Sequence, residues 1–154
     1  MDDLQKLVET LAIHTLMAKR VRCIDEKDWA GLEECYAENA LSHSFQAKGQ
    51  NAGGLVGAKA IAQSTAKVLE NITTAHQVHT PEIEFQSATQ ATGIWPLNDV
   101  LSRERDGKRT WMHAYGHYRQ SYEKIAGRWQ ITEHRLTRLL VETGTEDVVP
   151  FTGW

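Results

Sequence analysis

The sequence predicts an α+β fold in which helices come first and an antiparallel sheet follows. Three observations carry this. Residues 3–27 contain neither proline nor glycine and place apolar side chains at helical spacing. From Thr73 onward, four segments rich in threonine, aromatic and branched residues are joined by turn signals, with no helical pattern between them. The length of 154 residues is that of one domain, large enough to close a core around a small-molecule pocket.

In the first helix, Leu4, Leu7, Leu11, Ala18, Val21 and Asp25 fall at intervals of three, four or seven and define one face. Asp25 therefore sits at the end of an apolar stripe. An inward carboxylate requires a hydrogen-bonding partner such as an imidazole. The alternative is that Asp25 belongs to a cap for the next segment, since DEKDW also reads as a helix start. Arg20 and Arg22 are expected at the surface.

Trp29–Tyr36 (WAGLEECY) predicts a short helix with Trp29, Leu32 and Tyr36 on one side, followed by a strand at Ala40–Gln46. Lys48–Gly57 holds four glycines, but their spacing matches neither phosphate-binding pattern, so it reads as a loop suited to covering a pocket. Ala58–Asn71 is helical by propensity. The four strands are Thr73–Phe85, Ala88–Arg103, Arg109–Lys124 and Arg128–Val141, with turns at Gln86–Ser87, Asp106–Gly107 and Ala126–Gly127. Pro96 inside a strand implies an edge or a bulge there.

The chain is 41% hydrophobic and 24% charged with a net charge of -3, the balance of a globular protein with no reason to bind nucleic acid. Cys23 and Cys35 form no CxxC pair and read as reduced structural thiols. No apolar run approaches the roughly 18 residues of a membrane span, and the acidic start MDDLQKLVET is unlike a signal peptide, so a cytoplasmic protein is expected.

The stretch Ala75–Phe85 (AHQVHTPEIEF) carries His76 and His79. Imidazole exchanges a proton near neutral pH, which makes His76 the first candidate for a general base. His76 and His79 point to opposite strand faces, and His113 and His117 lie about 13 Å apart along a strand, so neither pair shares a metal ion. No metal and no cofactor are expected.

Four ordered stretches, RCIDEKDWAGL, AHQVHTPEIEF, ATGIWPLNDVL and SYEKIAGRWQI, together resemble the SnoaL-like group of the nuclear transport factor 2 superfamily over most of residues 10–142. In motif the chain is most similar to the bile-acid 7α-dehydratase members, and it also resembles scytalone dehydratase and hexachlorocyclohexane dehydrochlorinase. The resemblance implies a cone-shaped α+β barrel whose curved sheet and N-terminal helix enclose an apolar cavity. It implies catalytic roles for His76, Asp25 and Arg138, and a second acidic position at Asp99. The family's active-site tyrosine, one turn before the aspartate, corresponds here to Arg20. Tyr118 and Tyr36 are the candidates for a replacement hydroxyl, and Trp95, Tyr118, Tyr36 and Asp99 are the expected substrate contacts.

The chemistry so implied is cofactor-independent elimination or isomerisation of a hydrophobic cyclic or polycyclic small molecule, with Asp25 fixing the tautomer of His76 and His76 removing a proton. A ligand-binding or assembly protein of the same fold is the alternative, and epoxide hydrolysis by Asp25 and Asp99 a third. A homo-oligomer, trimeric before dimeric, is expected through the aromatic strand Trp111–Tyr122. The apolar tail Val148–Trp154 either covers the cavity mouth, packs on a neighbour or is disordered.

Overall fold

The computed structural model describes residues 1–43 and 54–148. Helix α1 (Asp3–Glu26) opens with a capping box in which Asp2 and Gln5 satisfy each other's backbone amides. It stops at Lys27, which takes the left-handed conformation and returns its amide to the last carbonyls. A five-residue helix, α2 (Trp29–Glu33), is capped by Asp28, which accepts from the Gly31 amide. Helix α3 (Ala58–Val68) completes the helical part.

The strands are β1 (Tyr36–Ser42), β2 (Leu55–Val56), β3 (Thr73–Val78), β4 (Glu82–Phe85), β5 (Gln90–Arg105), β6 (Lys108–Ile125) and β7 (Arg128–Asp147). They form one curved, unclosed sheet in the order β2-β1-β7-β6-β5-β3, with β4 also paired to β5. All pairings are antiparallel except β1 with β7. Two-residue turns at Asp106–Gly107 and Ala126–Gly127 join the long strands, and all four residues have positive φ, the geometry of tight hairpins.

Several expectations are corrected here. Tyr36 does not end a helix but begins β1. The expected strand Thr73–Phe85 is split, because residues 79–81 leave the ladder between β3 and β4. Pro96 lies opposite that break. Its carbonyl accepts from His79 N, and in an antiparallel strand its nitrogen points to the same side, so the missing N–H falls where no strand residue requires it. The bulges are elsewhere, at Tyr115/Gly116 and Ser121/Tyr122 in the β6–β7 ladder and between Tyr36 and Leu41 in the β1–β7 ladder. Within the expected loop Lys48–Gly57, Leu55–Val56 pairs with β1, while residues 48–53, like 44–46 of the expected strand and 149–154 of the tail, lie outside the described residues.

The first helix buries a different stripe from the one its leucines mark. Leu4, Leu7 and Leu11 are exposed, and the buried residues are Ile13, Met17, Arg20, Val21, Cys23 and Ile24. Near its start the helix is tied down by Glu9, which accepts from Lys124 Nζ and Trp129 Nε1, both at 2.6 Å. Cys23 and Cys35 are free and buried. Among the described residues no helix is long and apolar enough to cross a membrane.

The bulge in β7 decides which residues enter the interior. Tyr115 pairs with Leu140 and Gly116 with Arg138, so Leu139 is the extra residue and the inside–outside alternation reverses across it. Gly116 permits this approach, since a Cβ there would run into the Thr137 carbonyl oxygen. Replacing Gly116 by alanine is expected to lower stability by about 1–3 kcal/mol, read as a lower urea midpoint at unchanged slope; a midpoint equal to that of the parent contradicts the close approach.

Candidate functional site

Residues of α1, α3, β1, β3, β5, β6 and β7 line a cavity of about 170 Å³. Its wall combines apolar residues, among them Ile24, Ile61, Leu69, Leu101 and Leu136, with the polar Arg20, His76, Asp99, Tyr118 and Arg138.

His76 reaches the cavity from β3, where it stands directly opposite Asp99 of β5. Its side chain is only 7% exposed. Asp25, on the last turn of α1, closes it from behind. One Asp25 oxygen lies 2.6 Å from His76 Nδ1 and accepts from the Thr74 hydroxyl at 2.7 Å; the other accepts from the His76 amide at 2.9 Å. Burial alone would raise the Asp25 pKa, but these three bonds outweigh it and hold it below its ordinary value of 3.8. An ionised Asp25 accepts the Nδ1 proton, which leaves Nε2 bare on the cavity side.

Nε2 is 3.8 Å from Asp99 Oδ2, beyond hydrogen-bond range. Asp99 is instead gripped by Arg138, whose Nη1 and Nη2 donate to its two oxygens at 2.6 and 2.7 Å. The imidazole thus lies between two carboxylates, one bonded and one ready to stabilise a proton acquired at Nε2.

Arg20 is not at the surface. It is 4% exposed, in the middle of the buried stripe of α1, three residues after Met17 and four before Ile24. Nε donates to the Tyr36 hydroxyl at 2.8 Å, Nη2 meets His134 Nε2 at 3.2 Å, and the guanidinium carbon lies 4.5 Å from the Tyr118 ring centroid. Burial would lower its pKa; Tyr36 and Tyr118 outweigh this, and the net direction is upward. Because a guanidinium only donates, His134 Nε2 accepts and Nδ1 carries the proton. The Gln120 amide, 3.0 Å from Nδ1 and 2.5 Å from the Tyr122 hydroxyl, therefore turns its oxygen to His134. Burial, then the Arg20 and His43 charges, hold the His134 pKa well below 6.5, so this histidine stays neutral.

The structure brings His76, Asp25, Asp99, Arg138, Tyr118 and Tyr36 together around or behind the cavity, and it corrects Trp95. That indole is not in the cavity wall; it sits in the core beside Tyr118, donates to the Tyr122 hydroxyl at 2.7 Å and meets the edge of His14. Burial raises the Tyr118 pKa above 10, so it is a poor proton donor at neutral pH. His79 is exposed and bonded to Asn98, and His113 and Tyr115 are on the outer face of β6. Among the described residues, no cluster of three or more His, Cys, Asp or Glu is placed to hold a metal ion.

Residues 5–135 match the family model described as the SnoaL-like domain. The chain belongs to the SnoaL-like family. Three solved structures show the same fold. A type 2 hexachlorocyclohexane dehydrochlorinase is 17% identical with a TM-score of 0.81, covering 99% of this chain and 100% of its own. A protein from Novosphingobium aromaticivorans, proposed to be a scytalone dehydratase, is 21% identical with a TM-score of 0.75, covering 96% and 92%. A protein of unknown function with a cystatin-like fold from Nostoc punctiforme is 18% identical with a TM-score of 0.66, covering 85% and 91%.

Sequence reasoning missed Arg20 as an interior residue. The available signals were the resemblance that put Arg20 in the place of an active-site tyrosine and its spacing from Met17 and Ile24 on the helix.

The lowered Asp25 pKa sets a sign for acid stability. Its contribution is fully present above the unfolded value near 3.8 and is lost as pH falls through the lower folded value. Urea titrations at several pH values should therefore show that Asp25→Asn removes part of the acid sensitivity below about pH 4; parallel pH profiles for the two proteins contradict the assignment.

Proposed function

We propose that this protein is a cofactor-independent lyase or isomerase that takes a proton from carbon with His76, dehydration being the reaction the site suits best. The observation that carries this is the Asp25–His76 pair, with Nδ1 committed to a carboxylate and the imidazole lining the cavity. The family, and fold relatives named as a dehydrochlorinase and a proposed scytalone dehydratase, support elimination chemistry.

In this mechanism His76 Nε2 removes a proton from the carbon next to an activating group. The resulting imidazolium is stabilised by Asp25 and by Asp99 3.8 Å away. It then returns the proton to the departing hydroxyl, which leaves as water. Arg138 is a positioning residue, since its fork is spent on Asp99. A cavity of about 170 Å³ is close to the roughly 150 Å³ that holds a benzene molecule, so a single ring fits better than a polycyclic substrate.

The assembly we propose is a homo-oligomer, a trimer by preference, through the outer face of β6 and β7. Support comes from Tyr115 and Leu140, which are exposed and paired across β6 and β7, and so stand on the same face of the sheet.

The mechanism is tested by following proton–deuterium exchange and water loss by NMR across single-ring ketones and alcohols. His76→Ala should reduce the rate about 10²–10⁴-fold with an unchanged circular dichroism spectrum; a folded variant at full rate removes His76 as the base. For the assembly, Leu140→Glu should shift the mass measured by light scattering to the monomer, and an unaltered oligomer would place the contact elsewhere.

A further inference from the structure

The β5–β6 ribbon outruns the strand beside it. β3 begins at Thr73, opposite Ser102, and β5 and β6 continue past that point through the pairs Arg103↔Thr110 and Arg105↔Lys108 to their hairpin turn. On this projecting end lies a groove of about 440 Å³, more than twice the volume of the cavity that His76 lines, at about 170 Å³. Its apolar part is Leu101, Met112 and Ile72, all half-buried, and its rim is Arg103, Arg105 and Lys108, all exposed. Leu101 also lines the cavity, so the two spaces meet at one side chain.

The charges of the rim are uneven. Arg105 pairs with Asp106 and Lys108 with Asp147, whereas Arg103 pairs with no carboxylate among the described residues. Glu104, its neighbour in sequence, belongs to the opposite face of the strand and is taken by Arg109. The groove thus carries one unspent positive charge in a chain whose net charge is -3. A guanidinium fork beside apolar surface suits a carboxylate, while a phosphate monoester, with close to two charges, exceeds what one arginine balances.

Position sets the length. Strand alternation puts Asp99, Leu101 and Arg103 on one face, and His76 stands opposite Asp99. Asp99 and Arg103 are separated by about 13 Å, at a rise near 3.3 Å per residue. We propose that the groove binds the carboxylate-ended arm of a substrate whose ring enters the cavity, with Arg103 holding the carboxylate and Leu101, Met112 and Ile72 covering the arm. This rests on the cavity as the substrate site and on His76 as its base. The substrate class is then a single-ring keto or hydroxy acid, its ring and carboxylate joined by about four to six carbons, with the arginine side chain spanning the rest of the distance. The apolar contact supplies most of the affinity and the arginine supplies the preference for an acid, since an ion pair open to water is weak.

The probes are phenylalkanoates of increasing arm length, from phenylacetate to 8-phenyloctanoate, and the amide of each, titrated by calorimetry into the full chain at low salt. Affinity should peak between 4-phenylbutanoate and 6-phenylhexanoate, and there the acid should bind about three- to tenfold more tightly than its amide. The bound ring should shift the NMR signals of the His76 imidazole, and acetate should not. Arg103→Gln, at an exposed site where the melting temperature should not change, should abolish the preference for the acid, and Arg103→Lys should restore part of it. His76→Ala should keep the preference while losing proton exchange, so failure of the base and failure of the groove are read separately. The proposal is overturned if no acid binds, if acid and amide bind alike, or if folded Arg103→Gln keeps the wild-type preference. It is also overturned if affinity rises with every added carbon, as on any apolar surface, or if the His76 signals stay in place. Displacement of the acid as protein concentration rises overturns it as well, by giving the groove to a second copy of the chain.

Discussion

The Asp25 carboxylate is the contact on which the site depends. It receives a ring N–H and a backbone N–H from His76 and a hydroxyl from Thr74, which fastens the end of α1 to the outermost long-strand partner, β3. An edge strand has one free ladder and is held laterally only by its inner neighbour. Here the helix supplies the second anchor. The same bonds that fix β3 in place choose the tautomer of its histidine, so the position and the protonation pattern of His76 have one cause.

The second constraint is the distribution of charge over the cavity wall. Two carboxylates and two guanidiniums are gathered around about 170 Å³, with Asp99 and Arg138 locked in a bidentate pair and Arg20 set apart in an aromatic and imidazole surround. The Trp95–Tyr122–Gln120–His134 chain runs from the core to the cavity wall, which His134 alone of the four reaches. Its members are buried and hydrogen-bonded to one another, and it delivers a neutral acceptor to Arg20 Nη2. Such a network orients the guanidinium while leaving its charge uncancelled.

The helix-first order, the hairpin turns at Asp106–Gly107 and Ala126–Gly127 and the meeting of Asp25 with His76 were legible because each rests on local chemistry or on family motifs. The buried stripe of α1 was not, because counting apolar residues selects Leu4, Leu7 and Leu11 and passes over Arg20, whose interior place depends on Tyr36, Tyr118 and His134. Arg20 and His134 are 114 residues apart, a relation no window of sequence contains. Trp95 was expected as a contact on the resemblance alone; it stands on the inner face of β5, and only packing shows that this part of the face is core and not cavity. The parallel pairing of β1 with β7 left no mark in either strand, since a strand's pattern records burial and not its partner's direction.

That parallel pairing bears on how the chain assembles during synthesis. β7 lies between β1 and β6, so the helices, β1 and the later meander belong to one sheet only through the last long strand to be made. Until β7 leaves the ribosome, β1 has, among the described residues, only the two of β2 to pair with, and the buried face of α1 lacks Ile131 and His134. Closure is therefore a late, long-range event, and until β7 is made the chain carries its apolar interior open.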